Sequence, residues 1–184
     1  HRIIVGLDQA DEGKYRIAKT NFSRLPQQHI VIWNDSPRMK ALGVRLDRIG
    51  LAPMEPGKGK NVWTCMGYLI ACADSAVMAL HDCDILNYDR EMLARLVYPV
   101  ANPGFGYQMA KGFYPRIDDK KLNGRVTRLL VSPLLIALKK VVGDRDYLDY
   151  LRSFRYPLSG EFAMRMMTLP DLRIPSDWGL EIGV

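Results

Sequence analysis

The sequence predicts an α/β protein, a mostly parallel central sheet flanked by helices, and three observations predict it. Apolar runs at residues 3–7, 29–33 and 76–80 each stop abruptly at polar residues: Asp8, then Asn34 and Asp35, then His81 and Asp82. Such unbroken runs of strand length, with no apolar/polar alternation, mark strands covered on both faces. Helical patterns separate the runs, and alternation of strand and helix implies parallel strands joined by crossovers.

Each element has its own local cause. Residues 12–25 place Tyr15, Ala18, Phe22 and Leu25 on one helical face. After the second run, Ser36 and Pro37 form a helix start, a hydroxyl cap followed by the imino acid whose fixed φ suits the first turn. From Asn61 the apolar positions Val62, Cys65, Met66, Leu69 and Ala73 recur at helical spacing and lead into the third strand. Asn87 or Tyr88 then precedes a helix whose apolar face is Met92, Leu93, Leu96 and Val97. Beyond Pro103, Gly104 and Gly106 the alternation weakens. Residues 107–114 read as a strand, 125–142 as a long apolar helix interrupted at Pro133, and 146–154 as another helix. A turn at 156–160 and a short helix at 161–167 follow, and the chain of 184 residues is expected to form one domain.

Apolar residues make up 48% and charged residues 25%, the balance of an ordinary globular protein, which excludes a disordered or fibrous chain. The three cysteines, Cys65, Cys72 and Cys83, contain no CxxC pair, which argues against a disulfide framework or zinc site and favours a reducing cytoplasm. The longest apolar stretch, 65–80, is broken by Asp74 and Ser75 and falls short of the about 18–20 residues that span a bilayer. No charged segment followed by an apolar one opens the chain, so no secretion signal is expected. The net charge of +6 welcomes anions, but nucleic acids, phosphorylated metabolites and anionic membranes all satisfy it.

The chemistry concentrates in a few places. Asp82 and Asp84 follow the third strand, and ligands of open α/β sheets bind outside the carboxyl ends of strands. In an extended backbone residues two apart point the same way, so both carboxylates can converge on one hard cation, Mg2+ or Mn2+. A D-x-D that merely caps the next helix is the bland alternative. A phosphatase with D-x-D after a strand would want a hydroxyl residue shortly afterwards, whereas Ile85 and Leu86 are apolar. Pro56-Gly57-Lys58-Gly59 sets a lysine between glycines at a helix start, where backbone N–H groups and an ammonium can meet a phosphate, although a solvated turn would look the same. Neither a Walker A loop nor a G-x-G-x-x-G occurs. Gly124, Arg125 and Thr127 open the long helix with groups suited to a phosphate or carboxylate, within a stretch from Lys111 to Arg128 holding six basic residues against two acidic ones. Glu161 follows the tight turn, where a glutamate favours a helix start, and Glu181 sits in an apolar context near the end. His29, His81 and the cysteines look structural, with no nucleophile and base in view.

Taken in order, Pro56-Gly57-Lys58-Gly59, Asp82-Cys83-Asp84, Gly124-Arg125-Val126-Thr127, Leu158-Ser159-Gly160-Glu161 and Gly179-Leu180-Glu181-Ile182-Gly183 resemble the glucosyl-3-phosphoglycerate synthases. The resemblance implies a GT-A glycosyltransferase fold and transfer of glucose from UDP-glucose to 3-phosphoglycerate with retention, yielding an α-linked product. It implies donor contacts from Lys58, Asp82, Glu181 and, as supporting polar structure, Glu161, with metal held by Asp84 beside Asp82. It further implies acceptor contacts from Gly124, Arg125 and Thr127, and a main-chain contact from Leu158 beside the reacting centre.

Relative to that pattern the chain is expected to be partial, one GT-A domain over 1–184 lacking the first strand and the C-terminal part. The partners expected are a nucleotide sugar and a phosphorylated small molecule; nucleic acid is disfavoured, no membrane span is foreseen and a homodimer is left open. Three alternatives remain: mannosyl transfer from GDP-mannose, a nucleotidyltransferase that would release pyrophosphate, and a non-catalytic anion- or RNA-binding module.

Overall fold

The computed structural model describes residues 2–52, 55–114, 117–118, 121–122 and 125–184, and its backbone divides into two compact units, His1–Ser75 with Asp171–Val184, and Ala76–Pro170.

In the first unit β1 (Arg2–Leu7) and β2 (Gln28–Trp33) pair in parallel, with Ile3 opposite His29 and Leu7 opposite Trp33. They are joined through α1 (Glu12–Phe22), whose first turn is capped by the Asp11 carboxylate accepting from Lys14 N at 2.8 Å. The Trp33 ring stacks on Tyr15, centroids 4.9 Å apart, and its Nε1 donates to Ala10 O at 2.7 Å, fastening α1 to the carboxyl end of β2. Ser36 caps α2 (Pro37–Asp47), with proline in its first turn as expected. α3 (Lys58–Cys72) lies against β1 so closely that a side chain at Gly6 would run into Asn61 and Cys65. Asn61 Nδ2 donates to Gly6 O at 3.1 Å, and Asn34 Nδ2 donates to Asn61 Oδ1 at 2.9 Å. The unit is completed by the short α7 (Leu180–Gly183), anchored by the fully buried Leu180.

In the second unit β3 (Val77–Leu80) leads to α4 (Arg90–Ala101), capped by the Asp89 carboxylate, and then to β4 (Met109–Lys111). Two short strands, β5 (Ile117–Asp118) and β6 (Lys121–Leu122), pair antiparallel. A π-helical turn (Thr127–Val131) runs into α5 (Ser132–Val142), so the interruption expected at Pro133 takes the form of one wide turn; proline's missing N–H removes a helix hydrogen bond there. α6 (Asp146–Ser153) is tied to α5 by Lys139, which reaches Asp149 at 2.8 Å and Asp144 at 3.0 Å.

β7 (Phe162–Arg165) then inserts between β3 and β4, antiparallel to both, with Leu80 and Lys111 each opposite Phe162. This corrects the short helix expected over residues 161–167. Phe162 and Ala163 have no exposed surface and Met164 only 2%, so three successive side chains are covered. A helix at the surface would leave one side in water; a central strand does not. Ala163 packs with Leu96 and Val100 of α4, flanked by Val77, Ala79, Val97 and Ala110, and this is the core that holds the end of β3 in place.

Candidate active site

Lys58 is the first residue of α3, and its Nζ lies 2.7 Å from Glu181 Oε1, each side chain 21% exposed. Two residues 123 positions apart, both expected from the sequence to contact the donor, thus meet in one ion pair. The glycines beside Lys58 are buried, and the cause is a strap of residues 175–177. A Cβ at Gly57 would stand 2.8 Å from Asp177 Cα, and one at Gly59 would overlap the Pro175 carbonyl oxygen. Neither the solvated turn nor the open anion cradle foreseen from the sequence is present. The strap takes the helix-start donors: Gly59 N gives to Asp177 O at 2.9 Å and Lys60 N to Ser176 O at 2.7 Å. Lys58 also brings an ammonium to this helix start. Residues 175–177 were missed by sequence reasoning, although Pro175-Ser176-Asp177 ahead of Gly179 is a turn signal; Asp177 Oδ1 accepts from Gly179 N at 2.8 Å.

Asp82 and Asp84 follow directly on β3, as expected, but not as a continuation of the strand. β3 ends at Leu80, and Cys83 and Asp84 form a turn, so the two-residue alternation of an extended chain is not what orients the carboxylates. Asp84 is exposed and Asp82 half-buried. Before them the ring of His81 packs edge-on to Tyr88, centroids 5.2 Å apart, with both ring nitrogens buried and lacking a hydrogen-bond partner. Burial pushes the His81 imidazole below its ordinary pKa, outweighing the opposite pull of the Glu161 and Asp82 carboxylates.

Among the described residues no group of three or more histidine, cysteine or carboxylate side chains gathers into a metal cage. Asp82 and Asp84 still suit a hard divalent cation, because Mg2+ commonly takes one or two carboxylates and completes its shell with water and substrate phosphate oxygens. The donor set fits a cation bound together with a diphosphate.

Of the residues expected to meet the acceptor, Gly124 lies outside the described residues. Arg125 is exposed at the start of the helix, and Thr127 begins the π-helical turn with its Oγ1 buried and without a partner. Thr127 borders a pocket of about 180 Å3 together with Ser132, Leu135, Arg152, Phe154 and Pro157. Arg152, on α6, is a second cation near Thr127 that sequence spacing could not reveal. Leu158 sits half-buried in the turn closed by Ser159 N donating to Tyr156 O at 3.2 Å. Glu161 is 2% exposed and accepts from Ser159 Oγ at 3.2 Å, while its backbone oxygen takes Gly112 N at 2.8 Å. It therefore braces the turn that presents Leu158.

No family profile matches the chain. The glucosyl-3-phosphoglycerate synthase of Persephonella marina is 44% identical over all 184 residues, which correspond to 45% of that protein, and the one from Methanococcoides burtonii is 38% identical over the whole chain, again 45% of its length. Among solved structures, the glucosyl-3-phosphoglycerate synthase of Mycobacterium tuberculosis with Mn2+, UDP and glucosyl-3-phosphoglycerate matches 98% of this chain and 50% of its own, at 26% identity and a TM-score of 0.59. The same enzyme with Mn2+, UDP-glucose and phosphoglyceric acid matches 98% of this chain and 61% of its own, at a TM-score of 0.54. The chain is thus a relative, along its whole length, of the glucosyl-3-phosphoglycerate synthases and shares their α/β GT-A fold, spanning about half the length of the curated relatives it matches.

Proposed function

We propose that the protein transfers glucose from UDP-glucose to 3-phosphoglycerate, with retention and with the aid of Mg2+ or Mn2+, giving glucosyl-3-phosphoglycerate and UDP. The observation that carries this reading is 44% identity, without loss of coverage along the chain, to an enzyme of that name. It is supported by solved relatives holding Mn2+, UDP-glucose and phosphoglyceric acid.

Departure of UDP builds negative charge on its outer phosphate. Lys58, half-buried and held by Glu181, brings a fixed ammonium to that charge, a contact that strengthens as the bond to the sugar breaks. Asp82 and Asp84 would hold the divalent cation, which when bound supplies Lewis-acid stabilisation of the leaving diphosphate. Glu181 accepts from sugar hydroxyls. Arg125 and Thr127 orient the acceptor through its phosphate and carboxylate, a contribution of placement with no proton transfer. Leu158 lends main-chain contact beside the anomeric carbon, and the buried Glu161 and Ser159 keep that turn rigid.

The reading includes one GT-A domain over residues 1–184 and residence in a reducing cytoplasm, consistent with Cys65, Cys72 and Cys83 forming no disulfide. Among the described residues no helix is long and apolar enough to cross a membrane.

The test is an assay with Mn2+ and paired donors, UDP-glucose or GDP-mannose, each with and without 3-phosphoglycerate, and a parallel arm with UTP and a sugar phosphate, read by release of nucleoside diphosphate or pyrophosphate and by the mass of the product. UDP release that depends on 3-phosphoglycerate, with a hexose added to the acceptor, is the expected result. Preference for GDP-mannose would move the assignment to a mannosyl transferase, and release of pyrophosphate from a nucleoside triphosphate would overturn it.

A further inference from the structure

We propose that Glu181 is a positioning residue for Lys58, and that the two form one coupled unit for the nucleotide sugar, so that Lys58 grips the diphosphate fully only while Glu181 is in place. The inference rests on the donor side of the function proposed above and goes beyond it in assigning Glu181 to phosphate recognition as well as to the sugar.

The first support is the pair itself, 2.7 Å from Nζ to Oε1 with each side chain 21% exposed, which is too well covered to be counted among exposed surface pairs. The second is the scaffold. Glu181 stands on α7 next to Leu180, which has no exposed surface, and the strap that precedes α7 is bonded to the very turn that carries Lys58, through Gly59 N to Asp177 O and Lys60 N to Ser176 O. Glu55 N donates to Ser176 Oγ at 3.1 Å on the other side of Lys58. Both partners are therefore mounted on one hydrogen-bonded assembly. The third is the loss of alternatives: with those two helix-start donors occupied by the strap, an anion approaching this end of α3 is met by the lysine side chain. A lysine is a flexible stem ending in a point charge, and its placement depends on what holds the ammonium. An ammonium can serve a carboxylate and a phosphate together, whereas an arginine fork would be committed in one plane.

Two physical effects oppose each other. Glu181 partly neutralises Lys58, which weakens attraction for phosphate, and it holds the ammonium in place, which spares the ordering cost on binding. The short, half-buried contact on a rigid scaffold makes positioning the larger effect.

The experiment is a double-mutant cycle. Binding of UDP, and separately of UDP-glucose, is measured by calorimetry in saturating Mn2+ for the wild type, Lys58→Ala, Glu181→Ala and the double variant, with Glu181→Gln as the conservative change. UDP has no sugar, so a glutamate that touches only sugar hydroxyls would leave its affinity unchanged. Coupling predicts that Glu181→Ala weakens UDP binding on the order of tenfold, close to the effect of Lys58→Ala, and that the double variant is no weaker than the worse single one. Glu181→Gln, which keeps an oxygen for the ammonium, recovers part of the loss. Binding of 3-phosphoglycerate stays unchanged in Glu181→Ala, which separates positioning from general damage; if Glu181→Ala fails to fold, Glu181→Gln carries the comparison. Unchanged or tighter UDP binding, or fully additive losses, overturns the coupling. Failure of the function itself looks different, because the wild type then binds neither UDP nor UDP-glucose.

Discussion

The start of α3 and the end of β3 both carry charged residues suited to a nucleotide sugar, and they are built in opposite ways. At α3 the protein closes the place with its own chain: buried glycines, a strap across them that takes the Gly59 and Lys60 N–H groups, and an ammonium already paired with Glu181. At β3 a turn follows a half-buried strand, and it carries two carboxylates, Asp82 half-buried and Asp84 exposed, with no group of three or more metal-ligating side chains among the described residues. A cation in a preorganised pair is ready before the ligand arrives. A carboxylate pair in an open turn would, on the proposed function, be completed by what the ligand brings, a metal and its phosphate oxygens.

The largest effect expected from this contrast is at the open turn. Asp84→Ala removes one of the two carboxylates proposed to hold the cation and should lower metal-dependent kcat on the order of a thousandfold, because stabilisation of the leaving diphosphate is lost where charge develops. Turnover measured across a Mn2+ titration checks it, with circular dichroism to verify the fold. A variant that retains near-normal kcat at saturating Mn2+ would put the metal elsewhere.

The closed region makes its strongest prediction about folding. Gly59→Ala places a Cβ on the Pro175 carbonyl and should destabilise the protein by about 1–3 kcal/mol, since backbone has to move. Gly67→Ala, in the same helix with nothing within 4 Å of the new Cβ, should stabilise by about 0.8–1 kcal/mol through helix propensity alone. Urea denaturation of the two variants separates them. Equal shifts would mean that the strap is not seated on Gly59 in solution.

How much of this was legible beforehand follows the range of the interactions. β1, β2 and β3 were legible because each is a compact apolar run, and α2 because Ser36 and Pro37 are its own cap and first turn. The place of Asp82 and Asp84 came with β3. What was not legible depends on distant chain. The composition of residues 161–167 suits a helix as well as a strand, and only the neighbours β3 and β4 decide for a strand over 162–165. The reason for Gly57 and Gly59 lies at residues 175–177, and the partner of Lys58 at residue 181. A motif that looked like an anion loop from its glycines was a packing surface for another segment.

On the acceptor side a smaller effect is expected, because Arg125 is exposed and Arg152 borders the same helical turn. Arg125→Ala should raise KM for 3-phosphoglycerate about tenfold with little change in kcat or in KM for UDP-glucose, the signature of lost uniform binding. Unchanged acceptor kinetics would move the anion grip to other residues.

The mildest test changes no residue. Cys83 is exposed between the two aspartates, whereas burial pushes the Cys65 thiol up to about 11 and leaves almost no thiolate at pH 8. A thiol-specific reagent, followed by peptide mapping, should therefore label Cys83 well before Cys65. Adding Mn2+ with UDP should slow labelling of Cys83 several-fold and leave Cys65 as it was, because a cation and diphosphate seated on Asp82 and Asp84 would screen the thiol between them. Protection by UDP without Mn2+ would argue that the turn is merely covered by the nucleotide, and absence of protection with both would remove the acidic turn from the proposed donor site, leaving the Lys58–Glu181 pair to carry that proposal.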